Sequence, residues 1–277
     1  MKISFAEFRK SPYFFLKYFS MQMIVMIVLS LVVVLTLGLS LDFVPHLKSY
    51  HLLMLPFAFC FGIQVPVMLH NVVHHNIKPK WLNEIIGELC GFFVLFGMAP
   101  FRISHVLHHA YPDDHEKDPH APQGRNFLHF LSITQLNSIK TIANKYYEFH
   151  GRSVKTYSIM GVQMACYYVG LVLRAYIWFK VLGPTLFVAF YIPAYLTNVI
   201  VFAHINFATH KTLPSGEVEI VNLNHNFYYK MVNFIGSGAY FHKNHHTNPN
   251  LYNPSLLKVE QAQYAAPRNR VRVTSSV

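Results

Sequence analysis

The 277-residue chain carries eighteen histidines, a large supply of metal-ligating imidazole, and they are not scattered. Three clusters stand out: His70-Asn-Val-Val-His74-His75, His105-Val-Leu-His108-His109 and His242-Lys-Asn-His245-His246. A sparser fourth element is Asn206-Phe-Ala-Thr-His210. Residues three or four apart on a helix share a face, so His70 and His74 converge. In HxxHH the first and third histidines are four apart and the second adjoins the third, so one box can offer donors to two neighbouring metals. Neutral imidazole is the commonest metal-ligating side chain. Nine or ten such donors exceed what one tetrahedral ion can use, so two ions are the natural count. A single HxxHH in a histidine-rich chain is a weak signal; two copies together with an HxxxHH make a strong one.

Other positions read less sharply. His75 is either an alternative to His74 or a bystander, and helical spacing favours His74. His115, His120, His129, His150, His204 and His225 lack box spacing and read as capping or hydrogen-bonding residues. Asp113, Asp114, Glu116 and Asp118 follow the second box. They form either a solvated turn, for which Pro112-Asp113-Asp114 is suitable chemistry, or partners for the second N–H of ligating imidazoles. Asn206 is either a ligand through a bridging water or a helix-terminal amide.

The elements that must carry these boxes are apolar. With 53% hydrophobic and only 13% charged residues, the chain falls well short of the roughly one quarter charged that soluble domains carry. Residues 18–41 contain no Asp, Glu, Lys or Arg and are long enough to span about 30 Å of hydrocarbon. Further spans are expected near 51–72, 157–179 and 181–203, the last two joined by a tight Gly183-Pro184 turn. Residues 85–101 are apolar but short and contain Glu88, which fits a re-entrant arm. Arg174 is expected to snorkel towards the headgroups. Residues 102–156 should lie at the interface, with amphipathic stretches near Phe127–Ile142. Everything from 204 onward reads as polar or aromatic.

The expected fold is therefore an all-α integral membrane protein of about four transmembrane helices with a cytoplasmic helical cap bearing the boxes. A cytoplasmic segment 1–17 precedes a single domain over 18–260, and a basic tail covers 261–277. Four crossings put all the boxes on one membrane face, with most Lys and Arg; Lys48 and Lys180 fall on the other, with His46 and His51. Positive charge marks the box side as cytoplasmic. The net charge of +11 does not indicate nucleic acid, because the bases punctuate apolar runs and form no basic domain or face. No cleavable signal is expected, and Cys60, Cys90 and Cys166 read as buried small hydrophobes at no ligand spacing.

The boxes resemble those of the membrane fatty acid desaturase superfamily, in its stearoyl-CoA and acyl-lipid branches. His105 to His109 with the trailing Asp118-Pro119-His120 looks like its second box. Gly238-Ala-Tyr-Phe-His242-Lys-Asn-His245-His246-Thr-Asn-Pro looks like its third, and the first box and Asn206-x-x-x-His210 are similar to its HxxxH and NxxxH elements. The resemblance covers about 50–255 and implies a non-haem di-iron centre that activates O2. Its iron ligands would be His70, His74, His105, His108, His109, His210, His242, His245 and His246, with Asn206 holding a metal-bound water. The first box departs from the HxxxxH of the acyl-CoA enzymes, which leaves His75 as an alternative to His74.

No haem segment is fused, so electrons would come from a separate carrier such as ferredoxin or cytochrome b5. The expected partners are that carrier, membrane lipids, and a fatty acyl lipid or acyl thioester substrate. The compact length favours a bacterial inner membrane over the endoplasmic reticulum. Desaturation of a fatty acyl chain is the leading expectation, with hydroxylation of a lipid, carotenoid or alkane as the alternative on the same scaffold. A zinc-dependent membrane hydrolase or a non-catalytic metal-binding protein would be alternatives of another class.

Overall fold

The computed structural model describes residues 3–39, 43–122, 124–213 and 217–257; the expected tail 261–277 lies outside them. The chain is helical almost throughout. Helix α1 (Phe5–Lys10) is capped by the Ser4 hydroxyl, which accepts the Glu7 N–H, and buries Phe8 against the interior. Helix α2 (Phe14–Leu37) is a membrane span and ends at Gly38, whose φ of 74° lets the chain leave the helix. It starts four residues earlier than the charge-free stretch suggested, because Phe14, Phe15, Tyr18 and Phe19 bury themselves around Lys17. Helix α3 (Met54–Val73) continues a 3₁₀ turn, Ser49–Leu53, into a second span.

Helices α4 (Lys80–Phe93) and α5 (Met98–Ala110) meet at 98°. Trp81, Ile85 and Leu89 form an exposed stripe down α4, the pattern of a helix whose outer side faces lipid. Its inner side is packed close to α5, since a Cβ at Gly91 would crowd the backbone of Gly97 and Met98. Helix α6 (Phe127–His150) is one continuous amphipathic helix begun by an Asn126 cap, longer than the stretch to Ile142 that the pattern marked.

Helix α7 (Val154–Leu186) opens with a Ser153 capping box and breaks at Gly183, where φ is 71° and ψ 163°. A π-helical turn, Phe187–Tyr191, leads into α8 (Ile192–Thr209). Trp178 stacks on Tyr191 with centroids 5.4 Å apart, although an unbroken helix would set them about 20 Å apart. The chain thus folds back at Gly183, and the 56-residue apolar stretch Val154–Thr209 makes two passes. Helix α2 lies against α7, and α3 against α8. The second pair is tight at Gly62, where a Cβ would collide with the Ala194 carbonyl and Thr197.

After α8 the chain forms a small antiparallel ribbon, β1 (His210–Thr212) with β2 (Val218–Ile220), which pairs His210 with Ile220. Helices α9 (Phe227–Ile235) and α10 (His242–Thr247) complete the described chain. The ribbon is the one departure from an all-helical fold among the described residues.

The bend between α4 and α5 exposes backbone groups that no helix satisfies, and in a bilayer these must find protein partners. The Arg174 guanidinium donates to the Leu95 carbonyl at 3.2 Å, and the Tyr191 hydroxyl to that of Phe93 at 2.9 Å. The Met98 N–H donates to the Tyr18 hydroxyl at 3.0 Å. That hydroxyl in turn donates to Glu88 at 3.0 Å, and the Gln22 amide joins Glu88 to Arg174. Arg174 is only 1% exposed, so it does not snorkel; the bend offers it a carbonyl that the headgroups would otherwise have supplied. Arg174→Leu leaves that buried carbonyl without a donor and should cost roughly 1–3 kcal/mol. Thermal unfolding in detergent reads this loss, and an unchanged midpoint would refute the role given to Arg174.

Candidate metal centre

Each box arrives on a different kind of support. Helix α3 ends at Val73, so His70 sits in its last turn and His74 is its C-cap. His105, His108 and His109 lie on α5, where the Phe101 ring stacks on His105 with planes 6° apart. His210 opens β1 directly after α8, and His242, His245 and His246 occupy the single long turn of α10. Together these nine histidines form two groups. His70, His74, His105, His109 and His245 make one, and His108, His210, His242 and His246 the other; within each, ligand atoms lie within 4.8 Å of one another.

The nitrogens that converge are the Nε2 atoms. His105 Nε2 lies 2.8 Å from that of His74 and 3.0 Å from that of His109. His245 Nε2 lies 2.9 Å from that of His109 and 3.0 Å from that of His70. An imidazole nitrogen has either one N–H or one lone pair. At most two of these four contacts can therefore be hydrogen bonds. In the second group His242 Nε2 lies 3.1 Å from the Nε2 of both His210 and His246, while the buried His108 Nε2 has no partner at all. Lone pairs crowded in this way fit a shared cation.

Two carboxylates orient the second group. Asp118 lies 2.9 Å and 3.0 Å from His108 Nδ1 through its two oxygens, and Asp113 Oδ2 lies 2.7 Å from His210 Nδ1. Asp118 also accepts the N–H groups of Asp113 and His120, which ties the turn to the box. With the proton held on Nδ1, Nε2 presents its lone pair inward. Both earlier readings of the acidic segment therefore apply, to different residues: Asp113 and Asp118 partner imidazoles, while Asp114 caps a turn by accepting from Glu116 and Lys117 N–H.

The remaining positions separate clearly. His75 turns away with φ of 57°, half exposed and 4.0 Å from Glu84, so it is His74 that joins the group. Asn206 is buried and its amide donates to the Phe202 carbonyl; it lines the cavity described below. His204 bonds Tyr240 at 2.5 Å and His150 approaches the Phe8 carbonyl at 3.2 Å, as hydrogen-bonding histidines. His120 does not fit the capping or hydrogen-bonding reading: it is buried beside His108 with neither ring nitrogen partnered. Its place after Asp118-Pro119 was the available signal. Phe101 was missed, although it stands one helical turn before His105.

An open cavity adjoins His70, His105, His242 and His245, so it touches both groups. Its walls come from Ile63 and Val67 of α3, Val201 and Ile205 of α8, and the segments Gly236–Ala239 and Leu251–Pro254. No Lys, Arg, Asp or Glu among the described residues lines it.

The sequence profile of the fatty acid desaturase family matches residues 45–273. The chain belongs to the fatty acid desaturase family. Neither a curated protein nor a solved structure matches it. Family membership makes it an oxidoreductase scaffold, and the apolar helices and histidine groups make it a membrane protein able to hold metal.

Burial pulls His74 and His120 down to about 4 and holds His242, His245 and His246 well below the ordinary imidazole range. These rings are neutral in the folded protein but protonate near 6.5 when unfolded. Their folded pKa values are depressed, so the stability they contribute is full above about pH 6.5 and falls as pH drops from there towards 4. The metal-free protein should therefore show a falling thermal midpoint from pH 7 to pH 4; a flat profile would contradict this. Asp118→Asn should weaken metal affinity by about 10–100-fold, whereas His75→Ala should leave it unchanged. Metal titration of the two variants reads the contrast, and equal effects would overturn the assignments of Asp118 and His75.

Proposed function

We propose that this protein is a membrane di-iron oxidase that uses O2 to introduce a double bond into a fatty acyl chain, with electrons from a separate carrier such as ferredoxin or cytochrome b5. The observation that carries the reading is the opening of both histidine groups onto one uncharged, largely apolar cavity. The nine histidines would hold the two irons, and Asn206 would position a water beside them. Iron, when bound, supplies the redox chemistry by which O2 attacks a C–H bond. The chain's own part is positional. Ile63, Val67, Val201 and Ile205 hold a hydrocarbon by packing alone, and an acyl chain offers nothing else to grip. Packing fixes which carbon lies beside His70, His105, His242 and His245, and such placement is worth several kcal/mol of barrier. Asp113 and Asp118 keep Nε2 of His210 and His108 free of protons.

Nine histidines in two groups exceed the three protein ligands that a catalytic zinc site uses, which favours the oxidase over a zinc hydrolase. The described cations support a cytoplasmic histidine face: Lys78, Lys80, Arg102, Arg125, Lys211 and Lys243 stand towards it in the chain, with Lys48 and Lys180 at the far ends of the spans. The membrane is a bacterial inner membrane rather than the endoplasmic reticulum.

Expression in a host lacking desaturases, followed by mass spectrometry of its lipids, tests the reaction. A new double bond is expected; a new hydroxyl would replace desaturation by hydroxylation, and no change would remove the oxidase reading. His108→Ala and His245→Ala should abolish the product and lower bound iron while the protein still inserts. Wild-type product from either variant would defeat the ligand assignment.

A further inference from the structure

Helix α9 is apolar on the wrong side for a helix in water. Its outward face carries Phe227 and Phe234, which are 81% and 89% exposed, with Lys230 between them. Its polar Asn233 instead points inward, where it donates to the Leu223 carbonyl and accepts the Tyr240 N–H. An outward face with two almost fully exposed phenylalanines calls for apolar surroundings outside the protein.

The position of α9 supplies the surroundings. The Gln64 side-chain amide of α3 donates to the Ile235 carbonyl at the end of α9, and Gly236 lies against Ile63, where a Cβ would be 3.0 Å from the Ile63 side chain. Ile63 lies ten residues before Val73, so the foot of α9 is about 15 Å along the span from its histidine end. The chain then turns at Ser237 and Gly238, with φ of 47° and 81°, and climbs back to His242. Irregular backbone at that depth is tolerated only where it is buried or lines a cavity, and Gly236, Ser237 and Ala239 line one.

We propose that α9 and the turn after it form a second re-entrant element, immersed in lipid on its Phe227–Phe234 face, and that this element is the side portal through which an acyl chain of a bilayer phospholipid reaches the cavity. The proposal rests on the acyl-chain reading of that cavity and names the substrate class within it. Tyr252, 41% exposed, lines the cavity together with Gly236, Ser237 and Ala239 of this element. A polyanionic acyl thioester carrier would call for cationic groups at the mouth, whereas none of the described residues that line the cavity is charged.

The test is photolabelling of the metal-loaded protein in phosphatidylcholine vesicles that contain a phospholipid with a diazirine midway along one acyl chain. Label mapped by mass spectrometry should fall on α9 and also within 63–67 and 201–205, which turn away from the outer lipid. Ala239→Trp should remove the label from the two inner segments and leave it on α9. Absence of label from α9, or inner label obtained only with a diazirine acyl-CoA added from water, would overturn the proposal. Labelling needs no turnover, so a protein that labels as expected but forms no double bond would refute the desaturase reading and leave the portal standing.

Discussion

Nine imidazole nitrogens brought together with lone pairs facing one another would repel, and nothing among the described residues neutralises them. Eight of the nine rings have an Nε2 contact of 3.1 Å or less that hydrogen bonding cannot satisfy throughout each group, and His108 Nε2 has none. The fold holds these atoms in place by covalent and packing forces arranged elsewhere: the end of α3, the rigid α5, the ribbon at His210 and the short α10. A cation in each group would convert the repulsion into a cross-link joining four separate stretches of chain. Stability and function thus rest on one interaction.

The bilayer imposes the second demand. A bent pair such as α4 and α5 is costly in hydrocarbon, yet it is what brings His105, His108 and His109 to the level of His70. Arg174, Tyr191 and Tyr18 satisfy the backbone at the bend from three different spans. Charged and hydroxyl groups inside the membrane are therefore explained by the path of the backbone, with no need for a transport role. The same logic applies to the turn after α9, where the exposed backbone faces a cavity.

Much of this was legible beforehand. The spans were visible as charge-free apolar runs, and the Gly183-Pro184 break as a turn. The boxes were visible because 3.6-residue periodicity puts His70 beside His74 and His105 beside His109, whatever surrounds them. Other features were not. Arg174 read as a snorkelling residue because its partner, the Leu95 carbonyl, is 79 positions away in sequence. The docking of helix α9 on α3 was equally hidden, because Gln64 and the Ile235 carbonyl are 171 positions apart in sequence.

Residue types and short-range spacing alone determined that this chain is a multi-pass membrane protein rich in paired imidazoles, because hydrophobic length and helical repeat are local properties. Tertiary structure decided how those imidazoles divide into five and four, why His74 joins them and His75 does not, and which of four neighbouring acids orient them. Those outcomes depend on backbone direction at single residues, such as the positive φ of His75 and Asp113, and on contacts between segments more than a hundred residues apart. No local pattern encodes either.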